Sequence, residues 1–140
     1  MKKITKLTLA IGFLGSILLS SCKKYEDGPA ISLLTKKSRM ANEWVIEQAF
    51  NEKGTDATAY WQAANPLLSL KKDKSYSSTV FQGATLSGTW DFTNKNEDVV
   101  FSQTSPFANV ITYKILRLKD KELWLRETDS TPAELHYKEK

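Results

Sequence analysis

The feature that most constrains the fold is a two-residue alternation of side chains, which begins at Trp44 and recurs in short segments along the rest of the sequence. In the first segment Trp44, Ile46, Gln48 and Phe50 alternate with the residues between them. Successive side chains of a strand point to opposite faces of a sheet, so this period is typical of β-structure. The turn-forming sequence Asn51-Glu52-Lys53-Gly54 then ends the segment. The alternation predicts a first strand over 44–50.

Similar segments follow at short intervals and are separated by turn signals such as Lys71-Lys72-Asp73-Lys74 and Lys119-Asp120-Lys121. The predicted further strands cover 68–70, 76–80, 85–92, 99–101, 110–118, 123–125 and 135–137. Crossover helices long enough for a parallel sheet are absent from this pattern, and an open sheet of this size would leave exposed edges. We therefore expect an all-β fold, an antiparallel up-and-down meander of about eight strands closed as a small barrel. Residues 31–40 would form one short helix or an irregular lead-in.

The N-terminal region has the composition of an export signal. A basic opening containing Lys2, Lys3 and Lys6 precedes an apolar run over 7–19 that is too short for a comfortable transmembrane helix. The sequence Leu19-Ser20-Ser21-Cys22 resembles the lipobox of bacterial lipoproteins. That resemblance implies cleavage before Cys22 and attachment of acyl chains to its thiol. The alternative is an ordinary secretory signal in which Cys22 is incidental.

Lipidation would divide the chain into a signal peptide over 1–21, a tether over 22–30 and a barrel domain over 31–140. Two or more acyl chains give a stable anchor, so we expect a cell-envelope protein attached to the outer membrane through Cys22. Glu26 and Asp27 loosely resemble a surface-export signal of one group of gram-negative bacteria, although a plain solvated linker explains them equally well. Cys22 is the only cysteine, which excludes an internal disulfide.

Charge argues against nucleic acid as a partner. The net charge of +4 falls to +1 once Lys2, Lys3 and Lys6 are removed with the signal, and the remaining charges alternate in sign.

The barrel segment also resembles the lipocalin-like domain lipoproteins, over about residues 31–140. The resemblance depends on Trp44 after the basic lead-in Lys36-Lys37-Ser38-Arg39, on Leu68-Ser69-Leu70 followed by Tyr76, and on Gly88-Thr89-Trp90. It implies an eight-stranded up-and-down barrel around a cavity for a small apolar ligand. The chain is shorter than a typical lipocalin and lacks a C-terminal helix, which leaves the size of the cavity open.

Few residues could carry catalysis or bind a metal. His136 is the only histidine, so neither a histidine-rich zinc site nor a cysteine–histidine pair can be assembled. Because Leu135 and Tyr137 flank it on a strand, we expect His136 to point outward into solvent. The closest carboxylates, Asp91, Glu97 and Asp98, fall at a turn without calcium-loop or glycosidase spacing. The sequence predicts no enzyme, metal or cofactor.

Aromatic residues are the remaining signal of function. Those in strands are expected mostly to fill the barrel, with some lining a pocket at one end: Trp44, Tyr76, Trp90, Phe92, Phe101, Tyr113 and Trp124. Tyr60 and Trp61 lie in the polar stretch 55–66, where they would contact a ligand or protein partner, or fold over the barrel mouth. The candidate ligand residues are Trp44, Tyr60, Trp61, Tyr76, Trp90 and Tyr113.

Two functions remain open from the sequence, and a third, an envelope hydrolase or isomerase, would require His136 to turn inward beside a carboxylate. The first is a membrane-anchored module that binds a small apolar or amphipathic molecule, and the second is a filled barrel that docks onto an envelope protein partner. Separately, Asp129-Ser130-Thr131 resembles an O-glycosylation sequon used in the same group of bacteria, while an Asx-type turn accounts for the same residues.

Overall fold

A computed structural model describes residues 33–129 and 132–140, which contain eight strands joined in sequence order into a closed antiparallel barrel. This confirms the predicted fold class. The strands are β1 Glu43–Phe50, β2 Leu67–Leu70, β3 Ser75–Thr79, β4 Thr85–Thr93, β5 Asp98–Ser105, β6 Asn109–Leu118, β7 Glu122–Glu127 and β8 Glu134–Glu139. The helices are α1 Lys36–Met40 and α2 Thr58–Ala64, with single 3₁₀ turns at Phe81–Gly83 and Asn94–Asn96.

Closure is made by the pairing of the first and last strands, β1 and β8. Trp44 lies opposite Glu139 at one end of this pair and Phe50 lies opposite Glu134 at the other. The Asn42 side-chain amide also donates a hydrogen bond of 3.0 Å to the Glu139 carboxylate. Since every strand thus has two neighbours, the described barrel has no free sheet edge.

The predicted alternation places most large apolar side chains inside the barrel. Strand β7 shows the rule, because Leu123 and Leu125 are buried in the core while Trp124 between them points outward and is half-buried. The expectation that Trp124 fills the barrel is therefore wrong, and the alternation of β7 itself is the reason.

Helix α1 covers the end of the barrel at which β1 begins, which we call the closed end. The Thr35 hydroxyl caps the helix by accepting a hydrogen bond of 3.1 Å from the Ser38 backbone N–H. Met40 is fully buried, and its carbonyl accepts a bond of 3.0 Å from Trp44 Nε1. The short helix that the sequence allowed over 31–40 thus seals one end of the core.

Helix α2 occupies the stretch that the sequence suggested only as polar chain between two strands. Gln62 Nε2 donates a bond of 3.0 Å to the Ile46 carbonyl, and the Ala49 backbone N–H donates one of 3.0 Å to the Thr58 hydroxyl. These bonds hold α2 against β1. The helix joins the end of β1 to the start of β2, so it lies beside the open end of the barrel, opposite α1.

Gly88 is required by a close approach of β4 and β5, which also has a register shift between Ser87 and Gly88. A Cβ atom at Gly88 would lie 2.0 Å from the Ser102 carbonyl oxygen and 2.8 Å from the Gln103 Cα. Glycine is the one residue without that atom, which gives the Gly88-Thr89-Trp90 sequence a structural role.

Several predictions from the sequence concern residues outside the described ranges. These are the signal peptide over 1–21, lipidation at Cys22, the tether over 22–30 and modification at Ser130. Within the described ranges, neither helix is long and apolar enough to span a membrane.

Candidate functional site

The closed half of the barrel interior is filled by side chains. Trp44 and Trp90 are both almost completely buried there, together with Leu118 and Leu123. Trp90 Nε1 donates a hydrogen bond of 3.1 Å to the Lys71 carbonyl, as Trp44 Nε1 does to Met40. The structure therefore places Trp44 and Trp90, two of the candidate ligand residues, in the packed core and outside the lining of the cavity described next.

The open half contains a cavity of about 80 Å³. Tyr76 and Tyr113, two other candidate ligand residues, contribute to its wall. The complete lining is Asn65, Leu68, Tyr76, Ser78, Leu86, Phe101, Gln103, Ile111, Tyr113, Leu125 and Tyr137. A volume of this size exceeds the 10–15 Å³ that one water requires. It is well below the roughly 300–1,000 Å³ of a pocket that encloses a drug-sized ligand.

One wall of the cavity is a row of aromatic rings in contact. Phe101 lies between Tyr76 and Tyr113, with centroid separations of 5.1 and 5.7 Å and interplanar angles of 78° and 82°. Edge-to-face packing of this kind stabilises neighbouring rings beyond their simple burial. The cavity wall formed by β3, β5 and β6 is accordingly well packed and pre-formed.

Two buried polar side chains connect the cavity to the segments around the mouth. The Ser78 hydroxyl donates a bond of 2.5 Å to Asn65 Oδ1 at the C-terminal end of α2. Gln103 Nε2 donates a bond of 2.9 Å to the Phe107 carbonyl in the loop between β5 and β6. These contacts fix α2 and that loop relative to the cavity.

Of the three tyrosine hydroxyls of the lining, one has a hydrogen-bond partner among the described residues. Tyr113 donates a hydrogen bond of 3.2 Å to Glu127 Oε1. Tyr76 and Tyr137 are 8% and 4% exposed, and among the described residues their hydroxyls have no hydrogen-bond partner. Both hydroxyl oxygens nevertheless remain partly accessible to a water-sized probe. Since both residues line the cavity, their hydroxyls reach its accessible space.

Burial and a nearby carboxylate perturb the ionisable groups of this region. Burial raises the pKa of Tyr137, and the negative charge of Glu127 adds to that effect. Burial also raises the pKa of Tyr113 well above its usual value, followed by the influence of Tyr137 and Glu127. The pKa of Glu127 is itself raised, first by burial and then by Asp129. All three tyrosines of the lining are neutral hydrogen-bonding groups at physiological pH, because burial raises the pKa of Tyr76 as well.

Exposed apolar side chains surround the open end. Tyr60 of α2, Phe81 after β3 and Phe107 before β6 are 60%, 49% and 61% exposed, and we call them the mouth patch. The Tyr60 ring contacts both Trp61 and Phe81 edge-on, at 5.5 and 5.7 Å. Trp61 is half-buried and packs against the core. Tyr60 is therefore part of the exposed mouth, whereas Trp61 packs against the core and contacts the Tyr60 ring.

Two members of the mouth patch were not identified from the sequence. Phe81 lies beside the turn Gln82-Gly83, and Phe107 follows Pro106 in a loop. The signal that could have found them is that large apolar residues occupied predicted turns, where nothing ensures their burial.

His136 differs from its expected environment. It points outward, as predicted, but it is only 8% exposed, so the expectation of a solvated side chain is wrong. Its ring stacks on Trp124 at 3.9 Å, meets Phe50 edge-on at 5.5 Å and contacts Glu134 Oε1 through Nε2 at 2.6 Å. On the other side Arg117 lies 3.6 Å from the Trp124 ring centroid. We call Arg117, Trp124, His136 and Phe50 the outer ladder.

The outer ladder crosses β6, β7, β8 and β1 on the outside of the barrel. Its histidine is beside a carboxylate, but His136 faces away from the cavity because Leu135 and Tyr137 on either side of it face the core. Among the residues that the structure describes, no group of three or more His, Cys, Asp or Glu side chains could hold a metal ion. His136 thus lies outside the lining of the cavity.

Comparison with known proteins supports the fold assignment. No protein-family model matches the chain. A search of curated proteins also gives no match. Among solved structures, the chain is similar to a lipocalin-like protein from Bacteroides uniformis, with a TM-score of 0.56 and 14% sequence identity. The match covers 73% of this chain and 99% of the other. At this identity the similarity concerns the fold alone, so the barrel described here has the fold of that lipocalin-like protein.

Proposed function

We propose that this chain is a lipid-anchored lipoprotein of the cell envelope whose lipocalin-like barrel binds a small apolar or amphipathic ligand at its open end, without catalysis. The observation that carries the binding proposal is the juxtaposition of a pre-formed cavity with the mouth patch. Soluble proteins rarely leave several large apolar side chains exposed together unless the surface binds something. The anchoring proposal is supported by the lipobox-like sequence that ends at Cys22.

Ligand occupancy can be tested by native mass spectrometry of the chain purified from its own host's envelope, compared with its mass after denaturation. A stoichiometric excess of mass that disappears on denaturation would support the proposal. Phe81→Ser should reduce that excess. Leu34→Ser is a matched control, because Leu34 is 47% exposed but precedes α1 at the closed end. A bare chain, or equal loss in both variants, would contradict ligand binding at the mouth.

The anchor is tested separately. Cys22→Ala should move the chain from the membrane fraction to the soluble fraction, since the thiol is the attachment point for the acyl chains. Retention of the variant in membranes would contradict lipidation at Cys22.

A second candidate function is a non-catalytic interaction subunit that docks onto another envelope protein. The small volume of the cavity favours it, because about 80 Å³ leaves most of the barrel filled. Under this alternative the mouth patch contacts a protein, and a chain purified without bound ligand would co-purify with a stoichiometric partner that Tyr60→Ser releases.

A further inference from the structure

The cavity is too small to enclose a whole ligand, which limits how a ligand can sit. About 80 Å³ admits only a narrow end of a molecule, and the remainder must lie at the mouth, where Tyr60, Phe81 and Phe107 expose apolar surface. Apolar surface removed from water on contact with these side chains would provide most of the binding energy. The inserted end therefore contributes selectivity more than affinity.

The polar groups around the cavity indicate what that end must be. The hydroxyls of Tyr76 and Tyr137 reach the accessible space without a partner among the described residues. A buried hydroxyl without a hydrogen bond is unfavourable, and a ligand group that bonds to it is favoured accordingly. A purely hydrocarbon end would leave both hydroxyls unsatisfied.

Charge excludes an anionic end. The described residues that line the cavity include no Lys, Arg or His. The carboxylate closest to the lining hydroxyls is that of Glu127, which accepts the Tyr113 hydrogen bond and has Asp129 nearby. A carboxylate placed here would lose its hydration without gaining a counter-ion. A cation would likewise lose its hydration without a direct counter-ion, because Glu127 is not itself part of the lining.

We propose that the barrel selects amphiphiles whose inserted end is neutral and hydrogen-bonding, such as an alcohol, and that Tyr76 and Tyr137 recognise this end. The inference rests on the proposed function, namely that the mouth binds a small amphiphile. It goes beyond that function by naming the chemical class and the two recognition residues.

The test compares three probes with the same eight-carbon chain, 1-octanol, octanoate and octylammonium, by isothermal titration calorimetry on the purified chain at pH 8. We expect 1-octanol to bind at least about tenfold more tightly than either charged probe, since an unpaired charge is costly to bury. Octanoate or octylammonium binding as tightly as 1-octanol would overturn the inference while leaving the proposed function standing. Absence of binding by all three probes would contradict the proposed function as well.

Variants identify the recognition residues. Tyr137→Phe and Tyr76→Phe should each weaken 1-octanol binding roughly two- to tenfold, the value of one hydrogen bond, and should leave octanoate binding unchanged. Ser77→Ala is the control, because Ser77 lies between Tyr76 and Ser78 on β3 and points outward, so its loss should not affect binding. Circular dichroism verifies that each variant is folded. Unchanged 1-octanol affinity in both folded tyrosine variants would refute the assignment.

Discussion

Replacement of Gly88 by alanine tests whether the β4–β5 approach is as close as described. The added Cβ would lie 2.0 Å from the Ser102 carbonyl oxygen, whereas ordinary carbon–oxygen contacts in sheets are about 3.3–3.6 Å. The strands would therefore have to separate locally by about 1 Å or more. Because the atoms in contact belong to the backbone, rotation of a side chain cannot relieve the overlap.

The expected loss combines two contributions. Overpacking costs typically about 1–3 kcal/mol, and stretching one or two of the flanking backbone hydrogen bonds costs about 1 kcal/mol each. The free energy of unfolding should thus fall by about 2–5 kcal/mol, a large share of the roughly 5–15 kcal/mol that stabilises a domain. At about 4–8 °C per kcal/mol, the Tm should fall by about 8 °C or more.

Thermal denaturation followed by circular dichroism measures this effect, and Gly54→Ala is the control. Gly54 has a φ of +73° but has open space around its missing Cβ, so alanine there meets backbone strain without overlap, at a cost of about 1–2 kcal/mol. If Gly88→Ala lowered the Tm by no more than Gly54→Ala does, the close approach of β4 and β5 would be refuted.

Three other predictions concern the closed end, the acid near the cavity and the outer ladder. Trp44→Phe should lower the free energy of unfolding in urea by about 2 kcal/mol, because it removes the bond to the Met40 carbonyl and leaves a void, and an unchanged midpoint would contradict this. Glu127→Gln should raise the Tm increasingly above about pH 5 and leave it unchanged below about pH 4. The folded-state pKa of Glu127 is raised above the ordinary value of 4.5, so its ionisation destabilises the native state as pH rises through that range; a Tm difference independent of pH would contradict the assignment. His136→Ala should destabilise the barrel by about 1–2 kcal/mol in the same urea assay, whereas His136→Phe should retain most of the stacking on Trp124, and equal losses would argue against the ladder.

The barrel could be predicted from the sequence because its strands and turns are each specified by short runs of neighbouring residues. Alternation identifies strands, and turn signals such as Lys71-Lys72-Asp73-Lys74 join them in order, so the eight-stranded closed meander followed. Helix α2 did not follow, because its seven residues are too few to show a helical period and hydrogen bonds to β1 help to hold it. A helix of that length has little intrinsic stability, and its formation depends on the tertiary structure.

The candidate site was predictable only in part. Tyr76 and Tyr113 line the cavity and Tyr60 lies at its mouth, but the same reasoning could not separate them from Trp44 and Trp90 in the packed end. Inward direction follows from alternation, whereas position along the barrel axis depends on the register between strands. The burial of His136 likewise depends on which side chains its neighbouring strands present, namely Phe50 and Trp124.

The pairing of β1 with β8 also has a kinetic consequence. Its contacts join residues up to 97 positions apart, as in the bond between Asn42 and Glu139. Closing so long a loop carries an entropic cost before the contacts form, and topologies dominated by such contacts fold slowly, in about milliseconds to seconds. Until this seam forms, β1 and β8 both present unpaired backbone groups that can associate with other chains. The outer ladder crosses the same seam through His136 and Phe50, so its ring contact adds to the interactions that keep β1 and β8 together.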